Sequence, residues 1–178
     1  NAVSRLEFFI ITNQSGVAIS NREFLPLVER RMHDVNEYVI AKLQEHHVRV
    51  SGTFFCPYVD ARYVEKYHAK GRTFFPEYVR DSHPDIKPNI GMIKQAAQQL
   101  GLRLPDITHK YMIGDRLSDI KTGLNAGGKA VLVPSSKTRE LGGFAPVEVL
   151  VHQHPDRVFV ADTFLDAAAW IIEDIGYA

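Results

Sequence analysis

The chain has 178 residues, with 21 Lys and Arg against 21 Asp and Glu, so it is formally neutral at pH 7. That balance argues against a nucleic-acid groove or an anionic membrane surface as its main partner. The single cysteine excludes a disulfide framework, and no apolar run approaches the roughly 20 residues of a membrane span.

With 45% hydrophobic and 24% charged residues, the composition is that of a globular protein able to bury its own core. The first residue is Asn and no signal-peptide pattern follows it. A cytoplasmic location is therefore expected, with a start that is not the natural one.

Residues 7–12, EFFIIT, form a short apolar run read as a buried strand, and Asn13-Gln14-Ser15-Gly16 continues it as a loop. Ser20 and Glu23 have capping-box spacing, with Pro26 early enough to be tolerated, so a long helix is expected next. Its apolar face is expected to be Phe24, Leu27, Val28, Met32, Val35, Val39 and Leu43. Residues 48–56 read as the second strand, which Pro57 ends. Residues 57–88 are aromatic, charged and punctuated by proline, and are expected to be an irregular, lid-like excursion.

A helix over 89–100 follows, with Ile90, Ile93, Ala97 and Leu100 on one face and Gly101 as its stop. Strands are expected at 110–113, 130–133 and 157–160. A helix at 117–125 is stopped by Gly127 and Gly128, and a last helix to residue 175 is capped by Asp162. Residues 134–156 read as a loop. Alternating strand and helix imply a single domain built on a doubly wound, mostly parallel α/β sheet. In such sheets ligands bind beyond the carboxyl ends of the strands.

Three polar clusters could carry chemistry. Thr12-Asn13-Gln14-Ser15-Gly16 is a donor-rich rim suited to a phosphoryl group, although a polar turn with a helix cap reads the same way. Lys87-Pro88 at a helix entrance adds a point charge to an anion-friendly end, or is a surface lysine. In Gly114-Asp115-Arg116-Leu117-Ser118-Asp119, Asp115 offers a hard oxygen ligand for Mg²⁺. Asp119 could be a second ligand or could hold the loop by hydrogen bonds.

In this order the three clusters, extended by Ala126-Gly127-Gly128-Lys129-Ala130-Val131-Leu132-Val133, resemble the haloacid-dehalogenase superfamily of phosphohydrolases. The branch with the heptose-bisphosphate and histidinol-phosphate phosphatases is the most similar. The resemblance covers about residues 1–133 and implies a Rossmann-like fold and Mg²⁺-dependent hydrolysis of a phosphomonoester through a phospho-aspartate. It makes Thr12 and Lys87 catalytic, Asn13, Gln14, Ser15 and Arg116 substrate-binding, and Asp115 the metal ligand. The partner implied is a small-molecule phosphate ester, heptose 1,7-bisphosphate first and histidinol phosphate second. A monomer that binds neither nucleic acid nor membrane is expected.

Three departures accompany the resemblance. The superfamily's nucleophile motif, Asp-x-Asp-Gly-Thr, is absent, and no other Asp-x-Asp occurs in the chain. Its first, central strand is therefore expected to be missing, and these residues alone are expected to be inactive. The branch's zinc loop keeps only Cys56, with His83 and Asp85 where later cysteines would stand and His68 as a fourth candidate. No zinc is expected, and the aromatics Tyr58, Tyr63, Tyr67, Phe74, Phe75 and Tyr78 are expected to hold the loop instead. The Arg usual before the Lys is Ile86. The alternatives are an inactive phosphate-binding relative and a response-regulator-like receiver. The receiver is disfavoured because Thr12 and Lys87 precede the Asp cluster.

Overall fold

Side chains alternating across a strand need cover on both faces of a sheet, and the computed structural model shows how the chain provides it. It describes residues 6–21, 29–140 and 143–176. They divide into two compact units, one from residues 1–86 and 91–100, the other from 87–90 and 101–178.

In the second unit, β3 (Tyr111–Gly114), β4 (Lys129–Leu132) and β5 (Val158–Val160) form a parallel sheet in that order. Ala130 and Leu132 of β4 pack with Ile120 of α4 (Leu117–Asn125) and Val147 of α6 (Ala145–Gln153). Val131, one step out of phase, faces the other way and packs with Ala167, Trp170 and Ile171 of α7 (Phe164–Asp174). This sheet is wound on both faces, as expected.

The α7 face also carries a charge network. The Tyr111 hydroxyl donates to Asp174 at 2.5 Å, Lys129 Nζ meets the same carboxylate at 2.5 Å, and Trp170 stacks on Phe159 with centroids 5.1 Å apart. Hydrogen bonds from Lys129 and then Tyr111 hold the Asp174 carboxyl below the usual carboxylate range. Burial, reinforced by the bond to Asp174, pushes the Tyr111 phenol up.

In the first unit, β1 (Phe9–Asn13) and β2 (Gly52–Cys56) pair in parallel, with Asn13 opposite Cys56. Helix α3 (Gly91–Gln99) packs on both strands and buries Met92, Ala96 and Ala97. The expected single sheet is thus in two pieces: among the described residues β1 bonds only to β2 and β3 only to β4.

Four local expectations are corrected. Helix α1 (Glu29–Glu45) buries Met32 and Asn36, a stripe too narrow to cover Val35 and Val39, which stay exposed at 45% and 40%. Its proposed start, with Glu23, Phe24, Pro26, Leu27 and Val28, lies outside the described residues. The 57–88 excursion contains α2 (Ala61–His68), because the Asp60 side chain accepts from Tyr63 N–H and caps it. Residues 134–156 contain α5 (Ser136–Glu140) and α6, since buried Val147 gives α6 a face to pack. Finally, Thr163 and not Asp162 caps α7, exchanging bonds with Asp166 in a capping box.

Candidate active site

Each unit carries a polar cluster just beyond the carboxyl end of a strand. In the first unit, β1 ends in Thr12 and Asn13; Gln14 N–H adds a last rung to the Cys56 carbonyl at 2.7 Å, and the chain turns where the Gln14 carbonyl accepts from Val17 N–H at 3.0 Å. The Gln14 carboxamide donates to Thr12 Oγ1 at 3.2 Å. A short 3₁₀ turn, Ser15–Ala18, follows and plugs Val17 and Ala18 into the core at 1% and 0% exposure. Two buried apolar residues immediately after a polar loop fix that loop without a long side-chain lever.

The 57–88 excursion ties back to this loop. Phe75 N–H donates to the Ala18 carbonyl at 2.9 Å, and Ile19 bridges Phe74 in antiparallel fashion. Asn21 bonds both the Gly71 carbonyl and Thr73 N–H. The Ser15 hydroxyl lies 2.8 Å from the Tyr63 hydroxyl, so Ser15 is bonded into α2.

In the second unit, Lys87 and Asp119 come together. Lys87 Nζ sits 2.5 Å from Asp119 Oδ1, with both side chains more than nine-tenths buried. The other carboxylate oxygen accepts from Arg116 N–H at 3.0 Å. Both Asp119 carboxylate oxygens thus carry hydrogen bonds. Gly114 makes room for it: a Cβ at 114 would lie 2.4 Å from Asp119 Cβ. Pro88, joined to Lys87 by a cis bond, accepts a bond from Asn125 at its carbonyl.

Asp115 follows β3 and stays 44% exposed, with the more exposed Arg116 guanidinium 3.9 Å from its carboxylate. It is held from the loop after β4. Ser135 Oγ donates to Asp115 Oδ2 at 2.9 Å, and Thr138 Oγ1 donates to the Asp115 backbone carbonyl. Sequence reasoning missed Ser135 and Thr138. The signal available was a hydroxyl residue three before another at the start of a helix, the spacing of an N-cap, and Thr138 N–H does donate to Ser135 Oγ.

The zinc candidates are not gathered: among the described residues no three His, Cys, Asp or Glu side chains form a group able to hold a metal. The Cys56 thiol points to the Tyr58 carbonyl. His83 packs on Tyr58 with rings tilted by 35° and centroids 4.3 Å apart and accepts from Asp85 N–H, and the Asp85 carboxylate accepts from Gln95. No helix among the described residues is long and apolar enough to cross a membrane.

Comparison with known proteins gives a consistent picture. A family model described as HAD-hydrolase-like matches residues 86–167. A D-glycero-beta-D-manno-heptose-1,7-bisphosphate 7-phosphatase of Haemophilus influenzae is 33% identical over 132 residues, covering 72% of this chain and 59% of that protein. The Escherichia coli K12 protein of the same name is 28% identical over 129 residues, covering 72% of this chain and 57% of its own length. The chain therefore spans somewhat over half the length of these curated relatives. The crystal structure of a D,D-heptose 1,7-bisphosphate phosphatase from B. bronchiseptica, complexed with magnesium and phosphate, superposes with a TM-score of 0.57 at 16% identity. It covers 94% of this chain and 99% of that one, a likeness of fold.

Proposed function

We propose that this chain, which belongs to the haloacid-dehalogenase superfamily, carries the phosphate-gripping and metal-holding residues of a phosphatase acting on a small sugar phosphate. The favoured substrate is heptose 1,7-bisphosphate, the compound in the names of the relatives. The observation that carries the proposal is the buried Lys87–Asp119 pair, built four residues from a half-exposed Asp115. A lysine in a routine surface role stays in water. One held at 9% exposure by a carboxylate has given up hydration to keep its charge in one place.

Each residue has a task that its chemistry suits. The Thr12 hydroxyl donates to a transferring phosphoryl oxygen. Lys87, its ammonium held by Asp119, offsets the charge on phosphate and attacking carboxylate. Asn13, Gln14 and Ser15 line the ester, and Arg116, 67% exposed, reaches a further anionic group.

The attacking carboxylate, and the acid that protonates the leaving alkoxide and then deprotonates water, are not among these 178 residues. A phospho-aspartate mechanism would need both from outside these residues. The donor set suits Mg²⁺: one hard carboxylate, Asp115, oriented by Ser135, matches an ion that keeps several waters and takes the rest of its oxygens from phosphate. When bound, the ion supplies the charge neutralisation that lets one anion approach another.

The test is phosphate release by the full-length gene product, with Mg²⁺, from heptose 1,7-bisphosphate and from histidinol phosphate. Faster release from the heptose ester is expected. Faster release from histidinol phosphate would transfer the chain to that activity. Release from neither, with inorganic phosphate still bound, would make it an inactive phosphate-binding relative.

A further inference from the structure

We infer that Tyr63 is a positioning residue for ligand binding: it orients the Ser15 hydroxyl through their 2.8 Å hydrogen bond, so that the phosphate rim is set from α2 and not only from β1. The inference deepens the function proposed above and rests on its assignment of Ser15 to the rim.

The bond joins residues 48 apart in sequence, so it follows from the tertiary fold rather than from a local turn. Tyr63 is held at its backbone and on two sides of its ring. Asp60 caps α2 by accepting from Tyr63 N–H, Tyr67 stacks on the ring with centroids 4.4 Å apart, and Phe74 meets it edge-on at 6.0 Å. Phe74 is itself the bridge partner of Ile19, one residue past the 3₁₀ turn that contains Ser15. The same aromatic wall thus grips Tyr63 and the backbone leaving the rim.

Chemistry sets the direction of the pair. Each hydroxyl has one proton and two lone pairs, and either could donate. A phenol is the stronger acid and the better donor. With Tyr63 donating, the Ser15 proton is left for another acceptor, and accepting a bond polarises Ser15 so that its own donation strengthens. An anionic phosphate oxygen is the acceptor that gains most from such a relay. Ser15 alone would have to hold one rotamer at its own entropic cost; the bond to Tyr63 removes that freedom before ligand arrives.

Two hydroxyls in series predict a particular pattern of loss. Tyr63→Phe keeps the stack and the shape but removes the donor, and Ser15→Ala removes the group it acts through. Each should weaken inorganic phosphate by about three- to tenfold, the worth of one hydrogen bond. The double variant should be no worse than either single variant. Tyr63→Leu, which also removes the ring stack, reports the packing role separately through its melting temperature.

The experiment is calorimetric titration of the full-length gene product, wild type and these variants, with inorganic phosphate in the presence of Mg²⁺. Weakened binding in Tyr63→Phe at unchanged melting temperature, non-additive with Ser15→Ala, is the expected result. Wild-type binding with an unaffected Tyr63→Phe variant, or with losses that simply add, would overturn the role of Tyr63 and leave the proposed function standing. Failure of the wild type to bind phosphate would overturn both.

Discussion

Removing Asp119 tests most of the second unit's design at once. Asp119→Ala leaves the Lys87 ammonium, 9% exposed, without the carboxylate 2.5 Å away, and also removes the acceptor for Arg116 N–H. Breaking a buried pair by deleting one partner costs about 3–5 kcal/mol, because the remaining charge cannot be rehydrated. In a chain of this length that corresponds to a fall of about 6–20 °C in Tm. Trp170, the single tryptophan, lies in the same unit and packs against the β3–β4–β5 sheet, so urea unfolding followed by its fluorescence reads the right transition. Adding Lys87→Met removes the orphaned charge, and the double variant should recover at least half of the loss. An Asp119→Ala variant within about 0.5 kcal/mol of wild type, inside the range of ordinary surface exchanges, would show that Lys87 does not depend on Asp119 for its charge balance.

Gly114→Ala acts on the same pair from outside: its Cβ would lie 2.4 Å from Asp119 Cβ, and a loss of about 1–3 kcal/mol is expected in the same urea titration. Asp115→Asn should abolish Mg²⁺-dependent phosphate release by the full-length product while leaving Tm nearly unchanged, since Asp115 is half-exposed; normal turnover would remove its metal role. The Asp174 carboxyl is held below its ordinary value, so its contribution is present above about pH 4 and is lost as pH falls through the folded-state value. Asp174→Asn should accordingly make the acid side of the stability profile shallower than in wild type, measured by urea unfolding at descending pH. Thr163→Ala should cost about 1 kcal/mol by uncapping α7, measured by thermal melting. Metal analysis of the purified protein should give well below one zinc per chain.

Most of the framework was legible because strand tips and buried runs leave local marks. EFFIIT, KYMI and AVLV are short apolar segments bounded by turn residues, and they became β1, β3 and β4 within a residue or two. The resemblance carried by Thr12, Lys87 and Asp115 pointed to the same superfamily as the relatives. What was not legible lay in an unrecognised helix and in long-range partners. Asp60 as a cap is an ordinary loop aspartate until α2 exists, and the Ser135 and Thr138 bonds to Asp115 cross 20 and 23 residues. The apolar stripe of α1 misled for the converse reason: periodicity marks a face that can be buried, and Met32 with Asn36 was the part that found a neighbour.

The path of the chain between its two units has a consequence for synthesis and for dissection. After residue 86 the chain belongs to the second unit for four residues, returns for 91–100, and then leaves the first unit for good. No single cleavage point separates the units, since any cut between them strands either α3, which packs on β1 and β2, or the Lys87 segment, whose partner is Asp119. On the ribosome, β1 and β2 must wait for residue 99 before their covering helix is complete. Lys87 stays solvated until Asp119 has emerged, so nascent chains stalled before that residue should hold the lysine open to acylating reagents that later chains resist.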